Sequence, residues 1–529
     1  MNGIKELYRH KKFYWVCVVI TTVLSYGFTL TNHAITADDE AFDLFFGEGL
    51  VLAEGRWGYV PIQRIFNSYL FLPFWRSFIA VILMVAGITM LCGIFRKYSR
   101  GKFDDMAATI FACVAISFPL TAHLFSFMLA NLELGLSLLL VGCSLLFFAS
   151  WALDKGAHRY GVFSALILGY AIAFRETAIV FFMISGFSLL LLAFIYGSDQ
   201  KINKIKPSLF VLLKMFGVLI GAVVTWFVGA QVFQRLLSIP PVDYTTGMLQ
   251  HDTSNVFRFI GSMVRFALTL PVALFSAATN VTSLLILGIS GVLIVVGVVY
   301  GLKVKRVSVF IVALLLVISS YSMFIFTGWS YMYLRMRTPF MLLVGFGIAL
   351  GYIISTQIQW KRVKLKYLLI FVSIWLVFYG SRMMNQVFYL DYLGYKKDVF
   401  VMETVIQDLG GLQQKYPILF VGLLPQQLPL DEVAGYSIFN LGRRGTWYTE
   451  LDVRRAYRFF AMHGFPIEHP EEVDKEQLLT YIADMASWPA NGYIRQTEHY
   501  VIVKLGPSSL EQFILQDGDG MEITDEDNQ

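Results

Sequence analysis

Asp38 and Asp39 stand side by side just after the first long apolar run, and the connections on the same side of the chain carry arginines but no lysine before the C-terminal region. An acidic pair beside a bilayer can take a proton from a hydroxyl, and a planar, permanently charged guanidinium grips phosphate through two parallel hydrogen bonds. The combination points to group transfer at a lipid phosphate. Consecutive helical positions point about 100° apart, so adjacent aspartates on a helix cannot both face one reacting atom. One of the two is then the base, and the other orients it or caps a helix. Capping of an interfacial helix is the purely structural alternative for the pair. The identical dipeptide Asp104–Asp105 precedes the third apolar run on the opposite side of the chain, where helix capping is the expected role.

Further candidates flank other apolar runs. Glu133 opens the fourth in FMLANLELG, Arg175 and Glu176 follow the fifth in AFRETAIV, and Arg335 with Arg337 precede the tenth in YMYLRMRTPF. Ionisable residues at such depth are candidates for function, although Arg175 and Glu176 also read as neighbours that neutralise each other at a helix break. Two arginines two positions apart beside a Pro-started helix call for an anion, so Arg335 and Arg337, with Arg56 on the same side of the chain, are candidates for phosphate binding. Trp57, Tyr59, Glu133, Arg175, Glu176 and Arg265 are the further candidates for substrate contact. No metal site is expected, because His33 and His123 lack any HxH, HxxxH or HExxH spacing. The GFGIALG stretch at 345–351 is a poor dinucleotide fingerprint inside an apolar run, and close helix packing explains it better. Cys17, Cys92, Cys113 and Cys143 all lie in apolar stretches without paired spacing and read as small buried hydrophobes.

The elements that must position these residues are set by composition. The chain of 529 residues is 57% hydrophobic, 16% aromatic and only 15% charged, against about a quarter charged in a soluble domain. This is the composition of a polytopic α-helical membrane protein. Its net charge of +5 is spread through short loops, so no nucleic-acid partner follows. Runs long enough to cross about 30 Å of hydrocarbon begin near Phe13, Phe74, Met106, Leu134, Gly161, Thr177, Met215, Ser283, Val307, Pro339 and Tyr367, which makes eleven. Alternate connections are rich in both lysine and arginine and read as cytoplasmic by the positive-inside rule. The others hold arginine alone. The N-terminus is thus expected inside and the C-terminus outside.

The first outer loop, 31–73, mixes acids, aromatics and apolar residues in the manner of a helix lying in the interface. After Arg382 the hydropathy collapses. Residues 1–382 are expected to form the membrane domain and 383–515 a small extracytoplasmic α/β domain, with helices at 395–416 and 451–463, a strand at 418–424 and a hairpin-like pair at 493–504. Residues 516–529 are acidic and expected to be disordered.

Three segments, ITADDEAFDLFFGEGLVLAEGRWG, LRMRTPF and ASWPANGYIRQTEHYVIVKLG, together resemble bacterial GtrII-type, serotype-converting glucosyltransferases of the membrane-embedded GT-C class. The resemblance implies transfer of a sugar, glucose or N-acetylglucosamine, from an undecaprenyl- or other polyprenyl-phosphate carrier to a surface glycan such as O-antigen, or to its lipid-linked precursor. It implies no cofactor, a place in the bacterial cytoplasmic membrane, and a GtrA-like flippase and a polyprenyl-phosphate sugar synthase in the same pathway. It carries the acidic motif of the first outer loop onto Asp38 and Asp39, and it implies that the phosphate bound by Arg335, Arg337 and Arg56 is the donor's. A transporter or flippase of lipid-linked sugars shares the layout, yet its usual internal repeats and mid-membrane polar residues are not evident here.

Overall fold

The computed structural model describes residues 12–36, 39–41, 50–66, 73–197, 205–240, 280–303, 306–322, 334–357, 365–410, 416–422, 424, 438–439, 450–471 and 473–506. Asp38, Arg265 and the acidic tail lie outside them. The chain divides into two compact units, one of Met1–His33 and Phe42–Phe388, the other of Ala34–Ala41 and Tyr389–Gln529.

The first unit is helical. Its helices are α1 (Lys12–Thr31), α2 (Leu50–Ala53), α3 (Tyr59–Phe66), α4 (Pro73–Tyr98), α5 (Asp105–Ile116), α6 (Ala122–Phe125), α7 (Met128–Ala152), α8 (His158–Ile172), α9 (Ala178–Tyr196), α10 (Ile205–Leu236), α11 (Asn280–Lys303), α12 (Val307–Ser320), α13 (Phe340–Gln357) and α14 (Leu365–Asp408). Among the described residues, seven helices are long and apolar enough to cross a membrane, or eight if α5 and the bent continuation Pro119–Phe125 form one span. The other expected runs fall on α8, α11 and α12, of 15, 24 and 14 residues. α9 and α13 are enclosed by their neighbours, with α9 packed on α12 and α13 on α5. By contrast α1, α10 and α14 turn Val16, Ile20, Phe210, Ile220, Phe371 and Phe378 outward. Apolar ridges of this extent are stable only against lipid or another apolar surface, which makes this a membrane protein.

Two local expectations are met in the first unit. Asp104 caps α5, its Oδ1 accepting the Ala107 N–H at 2.8 Å, while Asp105 pairs with Arg96. Gly345 sits where an added Cβ would lie 2.9 Å from the Phe111 carbonyl oxygen, so the glycine-rich stretch serves close approach of α13 to α5. The four cysteines are free thiols.

The first outer loop departs from a single interfacial helix. It breaks into a 3₁₀ turn at Asp39–Ala41 and the short helices α2 and α3, and its residues 34–41 group with the C-terminal unit instead of the membrane helices. A second departure is α14. Its 44 residues run without a break through the point where hydropathy collapses, and the boundary between units falls inside it.

The second unit contains a three-stranded sheet of order β1-β3-β2, with β1 (Ile418–Val421) parallel to β3 (Val501–Lys504) and β2 (Ile494–Gln496) antiparallel to β3. Val401, Met402 and Val405 of α14, Phe459 and Phe460 of α15 (Glu450–Met462), and Ile418 and Val503 of the sheet share one core, against which Ile35 also packs. The opposite sheet face, with Leu419, Val421 and Ile502, packs on Leu478 and Ile482 of α16 (Lys475–Ala483), a helix started by the Asp474 cap on Gln477 N–H.

Candidate functional site

In the first unit, the residues from Val51 to Tyr59 form a rigid shelf. α2 ends at Gly55, whose φ of +81° is the left-handed conformation glycine adopts at no steric cost. The Gly55 N–H donates to Leu52 O and the Arg56 N–H to Val51 O, each at 2.9 Å, which is the paired closure of a Schellman motif. α10 seals this end: Gln234 Nε2 donates to the Leu52 and Ala53 carbonyls at 3.0 and 3.2 Å, and Trp226 Nε1 donates to Gly55 O at 3.0 Å. Trp57 returns the contact, its Nε1 donating to Trp226 O at 2.9 Å while its ring stacks on Phe233. On the other side Gly58 N–H donates to Ala173 O at 3.1 Å, Tyr170 Oη donates to Gly58 O at 3.2 Å, and the buried Tyr59 ring meets Phe174 edge-on. Trp57 and Tyr59, candidates from the sequence for substrate contact, pack here against Phe233 and Phe174.

This shelf aims Arg56 at the α8–α9 junction. Its Nε donates to Glu176 Oε1 at 3.1 Å, and its Nη1 lies 3.3 Å from Glu54 Oε2. Arg175 turns the other way and donates from Nη1 to Glu133 Oε2 of α7 at 3.0 Å. The sequence alternative in which Arg175 and Glu176 neutralise each other is therefore corrected: adjacent side chains diverge, and each finds an opposite charge on a different element. The pairs differ in burial, with Arg56 and Glu176 at 26% and 40% exposure and Arg175 and Glu133 at 8% and 4%. Burial pulls the Arg56 guanidinium downward, but Glu176, Glu54 and Glu133 together lift it well above its ordinary range. Glu176 is pushed up by its enclosure, yet the Arg56 charge and hydrogen bonds bring it net below the ordinary carboxyl range. Alternating carboxylates and guanidiniums of this kind offer both acceptors for hydroxyl groups and donors for phosphate oxygens.

The remaining arginines sit elsewhere in the first unit. The 3₁₀ turn Leu334–Arg337 leads into α13 and packs on α6 and on the 3₁₀ turn Pro119–Thr121. Enclosure there lowers the Arg337 guanidinium below its ordinary range. The Arg335 side chain is outside the described residues.

The acidic motif is held in the second unit. Asp39 N–H donates to Thr36 O at 3.0 Å, and Asp39 Oδ2 in turn accepts from Thr36 N–H at 3.1 Å and Thr36 Oγ1 at 3.0 Å. Next to it, Glu40 Oε1 accepts from Arg455 Nη1 of α15 at 2.7 Å, with the two side chains 0% and 8% exposed. Sequence reading singled out neither Glu40 nor Arg455. A usable signal existed: Arg455 stands four residues before Phe459, on the stripe of α15 that also buries Ala456 and Phe460. A charge in such a stripe asks for a buried partner. Among the described residues, no group of three or more His, Cys, Asp or Glu is placed to hold a metal ion.

Apolar outward-facing helices together with buried and half-buried ion pairs at helix junctions define a helical membrane protein. Residues 27–350 match the family model described as Glucosyl transferase GtrII, and the chain belongs to that family. The family indicates glucosyltransferase activity. No curated protein and no solved structure matches the chain.

Proposed function

We propose that this protein moves a hexose, glucose or N-acetylglucosamine, from a polyprenyl-phosphate donor to a cell-surface glycan or its lipid-linked precursor. The reaction lies on the extracytoplasmic side of the bacterial cytoplasmic membrane, in a GT-C-like arrangement of eleven spans with the N-terminus inside and the C-terminal domain outside. The observation that carries this reading is the glucosyltransferase match over residues 27–350, which takes in both the acidic motif and the Arg335–Arg337 pair. The supply of arginine without lysine on one set of connections supports a lipid phosphate as leaving group and the outer face as its place.

In a single displacement the acceptor hydroxyl oxygen attacks the anomeric carbon, its proton passes to a carboxylate, and the carbon–oxygen bond to the lipid phosphate breaks with its electron pair leaving on phosphate. Asp38 or Asp39 supplies the base. The hydrogen bonds from Thr36 to Asp39 Oδ2 fit the orienting partner, which leaves Asp38 to take the proton. Arg335, Arg337 and Arg56 bind the donor phosphate; Glu133, Arg175, Glu176 and Arg265 contact substrate. The anomeric configuration inverts. Guanidinium groups are sufficient for the departing phosphate, so transfer continues in chelator.

The test is reconstitution of purified protein with undecaprenyl-phosphate glucose and N-acetylglucosamine and a panel of surface-glycan acceptors, comparing wild type with Asp38→Asn and Asp39→Asn. Transfer with inversion, lost in one variant, is expected. Absence of transfer with every donor, together with movement of lipid-linked sugar between leaflets, would overturn the reading.

A further inference from the structure

The acidic motif is tied at two points. On one side Thr36 closes on Asp39 through three hydrogen bonds, two donated by the Thr36 N–H and hydroxyl to the carboxylate and one by the Asp39 N–H to Thr36 O. On the other, Glu40 is clamped by Arg455 at 2.7 Å in a place where the carboxylate is fully enclosed. Both ties are made from a single 3₁₀ turn, Asp39–Ala41. Such a turn has too little internal hydrogen bonding to hold its own direction. Its orientation is therefore set by what its side chains grip. Ile35 adds an apolar contact to the core built from α14, α15 and the sheet, so Ile35 and Glu40 on either side of Asp39 are both held by residues of the C-terminal unit.

We infer that Arg455, which lies well beyond the last residue of the family match, is a positioning residue for the first-loop acidic motif and acts through Glu40. The inference rests on the reading of that motif as the source of the base. A guanidinium suits the task because its fork fixes direction as well as charge. An enclosed carboxylate without that partner would either protonate or swing toward water, and the 3₁₀ turn, with the aspartates attached to it, would move with it. The sheet and α15 thereby belong to the catalytic apparatus even though they touch none of the reacting atoms.

The experiment uses the full chain, reconstituted in vesicles with undecaprenyl-phosphate glucose as donor and the best acceptor of the glycan panel. Turnover and donor KM are measured for Arg455→Met, Arg455→Lys, Glu40→Gln, the Glu40→Gln/Arg455→Met double variant and the charge-reversed Glu40→Arg/Arg455→Glu pair. In Arg455→Met and Glu40→Gln, kcat is expected to fall about 10- to 100-fold with donor KM within about twofold, the loss that a misplacement of about 1 Å brings. The Glu40→Gln/Arg455→Met double variant should be no worse than the poorer single, and the charge-reversed pair should recover part of the turnover. If Arg455→Met does not fold, Arg455→Lys decides, with lower kcat at unchanged KM and thermal midpoint expected. Wild-type turnover in the deciding Arg455 variant, or a loss that only follows the folded fraction, overturns the inference. Asp38→Asn and Asp39→Asn run alongside separate the two layers. Full activity in both aspartate variants removes the base reading itself, whereas loss there with wild-type turnover in the Arg455 variant removes only the positioning role.

Discussion

Arg175 donates to Glu133 across 3.0 Å with both side chains almost wholly enclosed, so α7 and the α8–α9 junction are joined by an ion pair that solvent barely reaches. Removing one partner breaks the enclosed pair and leaves the other facing the remaining charges of the cluster, Arg56 and Glu176 among them, whereas removing both takes out the pair without upsetting the charge balance. Arg175→Met and Glu133→Leu are each expected to destabilise the protein by about 3–5 kcal/mol, and the double variant by much less. Thermal unfolding of detergent-solubilised protein, analysed as a double-mutant cycle, measures the difference.

The Arg56–Glu176 pair is more open and gives a pH dependence. The Glu176 carboxyl is lowered from its ordinary value of 4.5, so the unfolded chain binds its proton more readily than the folded one. Its contribution to stability is then fully present above about pH 4.5 and is lost as pH falls through the lower folded value. Arg56→Met should be less stable than wild type at neutral pH, and the two should converge in acid. Melting temperatures taken from pH 7 downward check the sign.

Gly229 lets Trp57 lie flat on α10, since a Cβ built there would stand 2.3 Å from the indole. Gly229→Ala must push Trp57 off Phe233 or bend the helix, at a cost of about 1–3 kcal/mol. The companion change Trp57→Leu, which empties that space, should recover stability in the Gly229→Ala background. Tryptophan fluorescence reports the displaced ring, and thermal unfolding reports the recovery.

The Asp104–Asp105 dipeptide offers a control for the acidic motif. Asp104 accepts the Ala107 N–H at 2.8 Å as an N-cap, a role asparagine fills nearly as well. Asp104→Ala should cost about 0.5–2 kcal/mol and Asp104→Asn close to nothing, with transfer by the folded fraction unchanged in both. Differential scanning fluorimetry with a transfer assay separates this from the behaviour of Asp38→Asn and Asp39→Asn.

These two dipeptides also mark what a sequence reveals. Capping is a three-residue affair, so the role of Asp104 was legible from its neighbours, as were the apolar runs that became α1, α4, α9 and α13. β1 and α15 likewise begin within one residue of expectation. The sequence predicts two pieces where α14 is one, because hydropathy reports the surroundings of a helix, while helicity depends on backbone hydrogen bonds that continue unbroken from Leu365 to Asp408. The members of the Arg56 cluster were each legible as charges at span ends. Their partners were not, since Arg175 and Glu133 are 42 residues apart and Arg56 and Glu176 are 120. Glu40 carries no signal of its own beside two aspartates, because its partner Arg455 lies far along the chain.

The separation of Glu40 and Arg455 by 415 positions has a consequence for biosynthesis. At about 5–20 residues per second, roughly 20–80 s pass between the emergence of the acid and that of its guanidinium. During that interval Glu40 lacks its Arg455 partner, so a nascent chain arrested before α15 would hold the turn by the local Thr36–Asp39 hydrogen bonds alone. Ordering of the first-loop turn through Glu40 thus waits for α15, so an early segment of the chain is tied down only after the helices that follow it have been made.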